Sequence, residues 1–484
     1  MEIKLNFLGA AGNVTGSRHL LQVNGVNILI DCGLYQERQF TDRNWDTFPF
    51  PPKDINAVIL THAHLDHCGY LPRLVKEGFS GPIYCTEATA EISKIILLDA
   101  AKLQEEDAEH KRRRHKKEGR TSPYQEEPLY TTEDAENVFP LFSPMPYRES
   151  FNIGDGKEVP KRKFMRLKTP DTVEATLYDA GHVLGSSVIR VKVRKGKDER
   201  IIIFSGDIGR LDRPIVRDPT IFDAADYVLV ESTYGDRIHQ GVEDIKSLMA
   251  EVINTTRAAG GNIVIPSFAL ERSQEVLYYI NGLLLEGKIK PIKIFLDSPM
   301  ASKITEVFQN NAGLYNIEMS ELVKEHNSPF KIPTLEFAGT SAESKAINEI
   351  REPVIIIAGS GMCTGGRIKH HLVLNITRPE STIMFVGYQA VGTLGRSIVD
   401  GAEKVRILGQ KYPVRAKVVR ILGFSAHADK DEILQWLKNL KVPPRGVFVV
   451  HGEEDAAKSF GQYIRKNTGW PVTVPQYKQQ VVLK

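Results

Sequence analysis

Apolar and polar positions along this chain alternate with two different periods. Near the start Ile3, Leu5 and Phe7 are separated by polar residues, the period-2 pattern of a half-buried strand. Residues 19–30 read as a hairpin with Asn24-Gly25 at its tip, a dipeptide that tolerates the left-handed backbone of a tight turn. The runs at 57–60, 82–85 and 227–230 are continuously apolar and predict buried strands. Residues 175–180 alternate again, and 187–193 with 201–204 predict a second hairpin across Lys195-Gly196-Lys197-Asp198. Helical spacing predicts a short helix over 71–78, closed by Gly78, and a longer one over 88–103.

From about residue 237 the texture changes. Helices predicted near 243–259 and 270–285 alternate with apolar strands at 262–266, 293–297, 354–358 and 382–386. This is parallel-sheet character and argues for a separate α/β module. A strand at 418–422, a helix near 431–440 and a strand at 446–450 follow.

Composition adds little to this picture. A chain of 484 residues with 42% hydrophobic and 25% charged content is ordinary for a soluble protein of two or more domains. A net charge of +3 is too mild to demand a nucleic-acid partner. The tract from Lys111 to Lys117 is locally basic; it reads either as an RNA contact or as a solvated helix or mobile loop, with 118–128 an exposed loop. The four cysteines lack paired zinc-type spacing and imply no disulfide framework, so a reducing cytoplasm is the expected location. No apolar run approaches the roughly 20 residues of a membrane span, so no membrane partner is expected. With a strand starting at residue 3, no secretory leader is expected either.

Candidate chemistry concentrates at strand ends. Thr61-His62-Ala63-His64-Leu65-Asp66-His67 follows a buried strand. In an extended exit His62 and His64 point the same way, while Asp66 and His67 diverge toward a second position. Imidazole and carboxylate suit zinc, and four such ligands on one loop are too many for a single open catalytic ion. Two metals are therefore expected. Asp31 ends the second strand of the first hairpin, either as a cap or as a group orienting a metal-bound histidine. Asp207 ends a strand beside glycine, either as a structural turn residue or as a carboxylate whose two oxygens can bridge a metal pair. Glu231 ends an apolar strand and needs a partner if buried, a histidine being the natural one. The small-residue loop 9–17 serves either close ligand approach or a plain turn. In the α/β module, Asp297-Ser298 offers an acid and a hydroxyl. The glycine-rich loop 359–367 opens a helix and either receives a phosphate or packs closely.

His62-x-His64-x-Asp66-His67 is similar to the signature of the metallo-β-lactamase fold, and Gly181-His182-Val183 resembles its third motif. Glu231, Phe424-Ser425-Ala426-His427 and Val450-His451-Gly452-Glu453 resemble motifs A, B and C of the β-CASP group, whose members process nucleic acids. The resemblance covers essentially the whole chain. It implies an αββα sandwich over 1–236 that returns over 421–484, with a β-CASP α/β domain inserted over 237–420. It implies a zinc-dependent phosphodiesterase with two Zn2+ per chain. His62, His64 and His182 would surround one ion, Asp66, His67 and His451 the other, with Asp207 between them and Asp31 supporting the metal loop. His427 would protonate the leaving 3′-oxygen and Glu231 would orient it. Ser298, Ser360, Gly361 and Ser425 are candidate substrate contacts.

A histidine at motif C is typical of RNA-acting members, where DNA-repair members carry valine, so single-stranded RNA is the expected substrate. Bacterial and archaeal relatives of the endonuclease that matures messenger-RNA 3′ ends look most similar. Neither an N-terminal KH-like extension nor a long C-terminal domain of the RNase J kind is expected. The resemblance leaves open 5′-to-3′ exonuclease action, RNA preference and a homodimer. The residues alone leave three rivals: a small-molecule metallo-hydrolase of the same fold, a DNA nuclease, and a non-catalytic RNA-binding subunit.

Overall fold

A computed structural model describes residues 2–119, 126–153, 172–239, 244–326 and 328–484. Residues 120–125 of the expected exposed loop, and residue 243 at the expected helix start, lie outside the described residues. Two compact units form. One comprises Met1–Arg213, Arg217–Ile238 and His427–Lys484; the other comprises Pro214–Val216 and His239–Ala426.

The first unit contains, among the described residues, two seven-stranded sheets. In the first the strand order is Gln480–Leu483, Ile3–Phe7, His19–Val23, Val26–Ile30, Ala57–Ile59, Ile83–Cys85, Phe142–Pro144. In the second it is Val472–Thr473, Gly446–Val449, Tyr227–Val230, Asp198–Phe204, Ser187–Lys195, Thr172–Asp179, Ser150–Asn152. Strand alternation dictates how they pack. Ile3, Leu5 and Phe7 point inward from one sheet and meet Ile189, Val191, Phe204 and Phe448 from the other in a single core. The opposite faces are covered by helices: Leu71, Leu74 and Leu97 lie against Leu29, Val58 and Ile83. Ile433, Leu437, Phe460 and Ile464 lie against Val228, Val230 and Val449. The result is an αββα sandwich. The first hairpin turns where its sequence requires, with Asn24 at φ 51° and Gly25 at φ 79°.

One helix is longer than its apolar pattern predicts. Expected over 88–103, it runs Glu87–Glu118 and carries the basic tract as solvated helix. Its buried residues thin out after Ala101, leaving only Ala108 beyond. Past that point good helix formers continue, with ion pairs Glu109–Arg113 and Arg114–Glu118 spaced i,i+4. Exposed pairs of this kind contribute about 0.3–0.5 kcal/mol each. Gly119, at φ 61°, ends the helix.

The second unit is built on a six-stranded sheet ordered Leu335–Phe337, Lys293–Asp297, Val354–Ala358, Ile263–Pro266, Thr382–Phe385, Lys417–Arg420. Every pairing is parallel, so all the strands end at one edge. Among the described residues no helix is long and apolar enough to cross a membrane.

Candidate active site

Strand exits from both sheets of the first unit converge on one cluster. The metal loop leaves the buried strand Ala57–Ile59 in extended backbone. His64, at φ −64° and ψ 149°, caps the single-turn helix Leu65–Cys68, which carries Asp66 and His67. Two glycines let neighbouring loops press together. A Cβ on Gly33 would fall 1.6 Å from Asp66 O, and one on Gly209 would fall 1.7 Å from Gly181 O. His451 sits in the left-handed region at φ 50°, a costly conformation for histidine. Its amide donates to Ala10 O at 2.8 Å. The small-residue loop 9–17 thus supports the backbone of His451.

The ligand atoms fall into two sets that share Asp207. His62 Nε2 lies 2.9 Å from His64 Nδ1, which is 3.3 Å from His182 Nε2. Asp207 Oδ2 is 3.5 Å from both His62 Nε2 and His182 Nε2. In the other set His67 Nε2 lies 2.9 Å from His451 Nε2, and Asp66 Oδ2 is 3.5 Å from His451 Nε2. Asp207 Oδ1 faces this set, 3.3 Å from His67 Nε2 and 3.6 Å from His451 Nε2. These residues could hold two metal ions.

The donor set fits cations. Where ring nitrogen meets ring nitrogen, only one partner can carry the intervening proton, so the other presents a lone pair. Asp207 Oδ1 is buried and accepts no hydrogen bond of good geometry, and His182 Nδ1 is buried without a hydrogen-bond partner. Burial, then the charge of His67, push His62 well below its ordinary value. Burial, then His427, do the same to His182, and burial brings His64 down to about 4. These shifts favour the neutral imidazoles that a cation needs as ligands. In the other set burial opposes charge on His67, but Asp207, Asp31 and Asp66 outweigh it and raise the imidazole. Burial also works against the Asp207 carboxylate, yet His451, His67 and His62 hold it well below the usual range.

Asp31 orients rather than faces the cluster. It stands at φ 59°, and its Oδ2 accepts from His67 Nδ1 at 2.7 Å, which turns Nε2 inward. Thr61 N donates to Asp31 Oδ1 at 2.8 Å, so the carboxylate ties the metal loop to the first hairpin. Asp31→Asn is expected to weaken metal affinity about 10- to 100-fold while the chain stays folded. Competition with a metallochromic chelator measures this, and unchanged affinity would reduce Asp31 to a turn residue.

Beside the cluster His427 Nδ1 lies 3.1 Å from Glu231 Oε2 and 3.9 Å from Asp207 Oδ2. Glu231 is buried and also accepts from Ile208 N at 2.6 Å, whereas the His427 side chain is 22% exposed. Burial opposes charge on His427, but the Glu231 carboxylate, then Asp207, raise it to about 9.

Sequence reasoning assigned no role to Thr61, Thr233 or His19. The Thr61 hydroxyl lies 3.1 Å from His62 Nδ1, and Thr233 Oγ1 lies 3.2 Å from His451 Nδ1. His19 starts a core strand and lines a cavity of about 20 Å³ with His67, Asp207 and His451. A histidine at an inward strand position was the available signal.

The candidate substrate contacts lie in the second unit. Ser298 caps the helix Pro299–Asn310, its hydroxyl accepting from Ala301 N at 3.3 Å. Ser360 Oγ accepts from Thr364 N at 3.0 Å within its own loop. Ser425 is half-buried, just before the unit boundary. At the helix start after the glycine-rich loop, Ile368 N donates to Gly359 O and Lys369 N to Gly366 O. Asp297 is spoken for as well: it is buried between His371 Nε2 and Arg367 Nη1, each at 2.6 Å. Gly361 is covered by the ring of Phe268.

Comparison with known proteins adds three family matches. Residues 20–206 match a metallo-beta-lactamase superfamily domain, 273–398 a Beta-Casp domain, and 411–475 a Zn-dependent metallo-hydrolase RNA specificity domain. A ribonuclease of Thermus thermophilus is 36% identical over 94% of each chain. An RNase J-like protein of Methanocaldococcus jannaschii is 30% identical over 98% of each. A transcription termination factor of the same archaeon is 29% identical over 96% of this chain and 69% of its own. A crystal structure from Enterococcus faecalis, of a protein of unknown function, shares the fold over 100% of both chains at a TM-score of 0.54 and 12% identity.

Proposed function

Because the chain belongs to the β-CASP family of the metallo-β-lactamase fold, we propose that it is a zinc-dependent ribonuclease cutting single-stranded RNA internally. The observation that carries this reading is the Glu231–His427 pair held beside the shared carboxylate of Asp207. A small-molecule hydrolase of this fold has no need of such a pair. His451, which faces Asp66 and Asp207, supports RNA over DNA, as does the match to an RNA specificity domain.

His62, His64 and His182 would hold one zinc, and Asp66, His67 and His451 the other, each completed by one oxygen of Asp207. Zinc held there would supply a nucleophilic water at neutral pH and would offset charge growing on the phosphoryl oxygens. The chain's own groups do the rest. Asp31 and Thr233 fix the rings of His67 and His451 through their Nδ1 atoms. Glu231 fixes His427 through Nδ1 and stabilises its charged form, so a proton passes from Nε2 to the departing 3′-oxygen. The products are a 5′-phosphate and a 3′-hydroxyl. All four cysteines are buried and free of disulfides, which suits a reducing compartment such as the cytoplasm.

Incubating zinc-loaded protein with matched 3′-labelled single-stranded RNA and DNA tests the reading. Internal cuts confined to RNA are expected, abolished by a chelator and restored by Zn2+. Equal cutting of DNA would overturn the role given to His451. A ladder shortening from the 5′ end would replace the endonuclease reading with an exonuclease.

A further inference from the structure

We infer that Phe268 is a fixed stacking platform for a base of single-stranded RNA. This rests on the ribonuclease reading for the identity of the ligand. Phe268 follows the strand Ile263–Pro266, at the carboxyl edge of the parallel sheet. Loops at that edge are where parallel α/β sheets receive ligands. Phe268 remains 38% exposed, although a phenylalanine in a sheet-edge loop gains more by turning into the core.

Its exposure is built in. The Cδ2–Cε2 edge of the ring rests on two glycines from neighbouring loops. A Cβ on Gly361 would fall 2.8 Å from Phe268 Cδ2 and Cε2, and one on Gly387 would fall 3.4 Å from Cε2. Any side chain at Gly361 would dislodge the ring. The two glycines are stitched to each other by Gln389, whose buried amide donates to Gly361 O at 2.9 Å and to Gly387 O at 3.3 Å. The backbone of Phe268 is fixed too. Its carbonyl accepts from Ser273 Oγ at 2.7 Å, and the preceding Ser267 N donates to Ala358 O at 3.0 Å on the adjoining strand.

A rigid aromatic ring among small polar residues suits a flat base better than an apolar protein surface. Stacking is tolerant of sequence because every base has a π-face, and a ring already immobilised loses little entropy when the base arrives. The hydroxyls of Ser360 and Thr364, 3.1 Å apart and exposed on the loop that supplies Gly361, offer hydrogen bonds to a sugar–phosphate backbone passing the same edge. Phe337 provides a contrast. It is 43% exposed on the edge strand Leu335–Phe337, and among the described residues its ring is not among the nearest atoms that a Cβ on any glycine would meet.

The test uses the full chain with zinc, in a His427→Ala background so that RNA is bound without being cut. An oligouridylate carrying one 2-aminopurine, scanned along its length, reports stacking by fluorescence quenching. We expect quenching at one position, lost in Phe268→Leu, retained in Phe268→Tyr and unchanged in Phe337→Leu. RNA affinity should fall about 5- to 100-fold in Phe268→Leu. With His427 intact, Phe268→Leu should raise KM for RNA while bound zinc and the thermal unfolding midpoint stay at the parent's values, which excludes misfolding. If RNA is bound and cut but Phe268→Leu quenches and binds like the parent, the platform is refuted while the ribonuclease stands. If the parent neither binds nor cuts RNA, the ribonuclease reading fails and the platform fails with it.

Discussion

Asp207→Ala is expected to lower bound metal from the proposed two ions per chain to fewer than one, and to reduce RNA cleavage at least about 10⁴-fold. The reason is that this carboxylate belongs to both ligand sets. Oδ2 lies 3.5 Å from His62 Nε2 and His182 Nε2, while Oδ1 lies 3.3 Å from His67 Nε2 and 3.6 Å from His451 Nε2. Among the groups of metal-ligating residues in the described chain, it completes the set of His62, His64 and His182 and also touches the set of Asp66, His67 and His451. Removing it leaves the first set with three neutral imidazoles and no anion, and the second with Asp66 alone. Asp207→Asn separates shape from charge. It preserves volume but offers one weak oxygen ligand, so it should keep at most one ion. Elemental analysis of dialysed protein gives the metal count directly. Two ions retained in Asp207→Ala would end the bridging role.

The metal loop was legible because its ligands are neighbours in sequence and sit after an unmistakable apolar strand. The distant members, His182, Asp207, Glu231, His427 and His451, were legible only as polar residues at strand ends, with the family resemblance to join them. What could not be read were the hydroxyl and backbone contacts that hold the ligands in place. Thr61 gave no sign that its hydroxyl meets both Asp31 and His62. Nothing in the sequence indicated that the loop 9–17 would carry the amide of His451.

The helix Glu87–Glu118 was cut short because hydrophobic periodicity reports burial, and its second half buries almost nothing. The fold of the second unit was readable as alternating helix and strand. Its surface chemistry was not. The glycine-rich loop read as either a phosphate site or a close-packing turn, and Gly361 proves to lie against the ring of Phe268, a residue no sequence pattern distinguishes from any other exposed phenylalanine.

His427→Ala is expected to cut RNA about 10²- to 10⁴-fold more slowly at an unchanged metal content. The two halves of that statement are separable because His427 stands next to the cluster without completing either ligand set. Its Nδ1 is turned to Glu231 Oε2 at 3.1 Å, and its approach to Asp207 is 3.9 Å. A general acid matters in proportion to how poor the leaving group is. The 3′-oxygen of a ribonucleotide leaves badly as an alkoxide, whereas p-nitrophenolate departs without a proton. Hydrolysis of bis(p-nitrophenyl) phosphate by His427→Ala should therefore stay within a few-fold of the parent while RNA cleavage collapses. Glu231→Gln should fall between the two, since an amide can hold the ring but cannot stabilise its charged form. Equal losses on both substrates would mean that His427 shapes the metal pair instead of donating a proton, and undiminished RNA cleavage would remove it from the chemistry altogether.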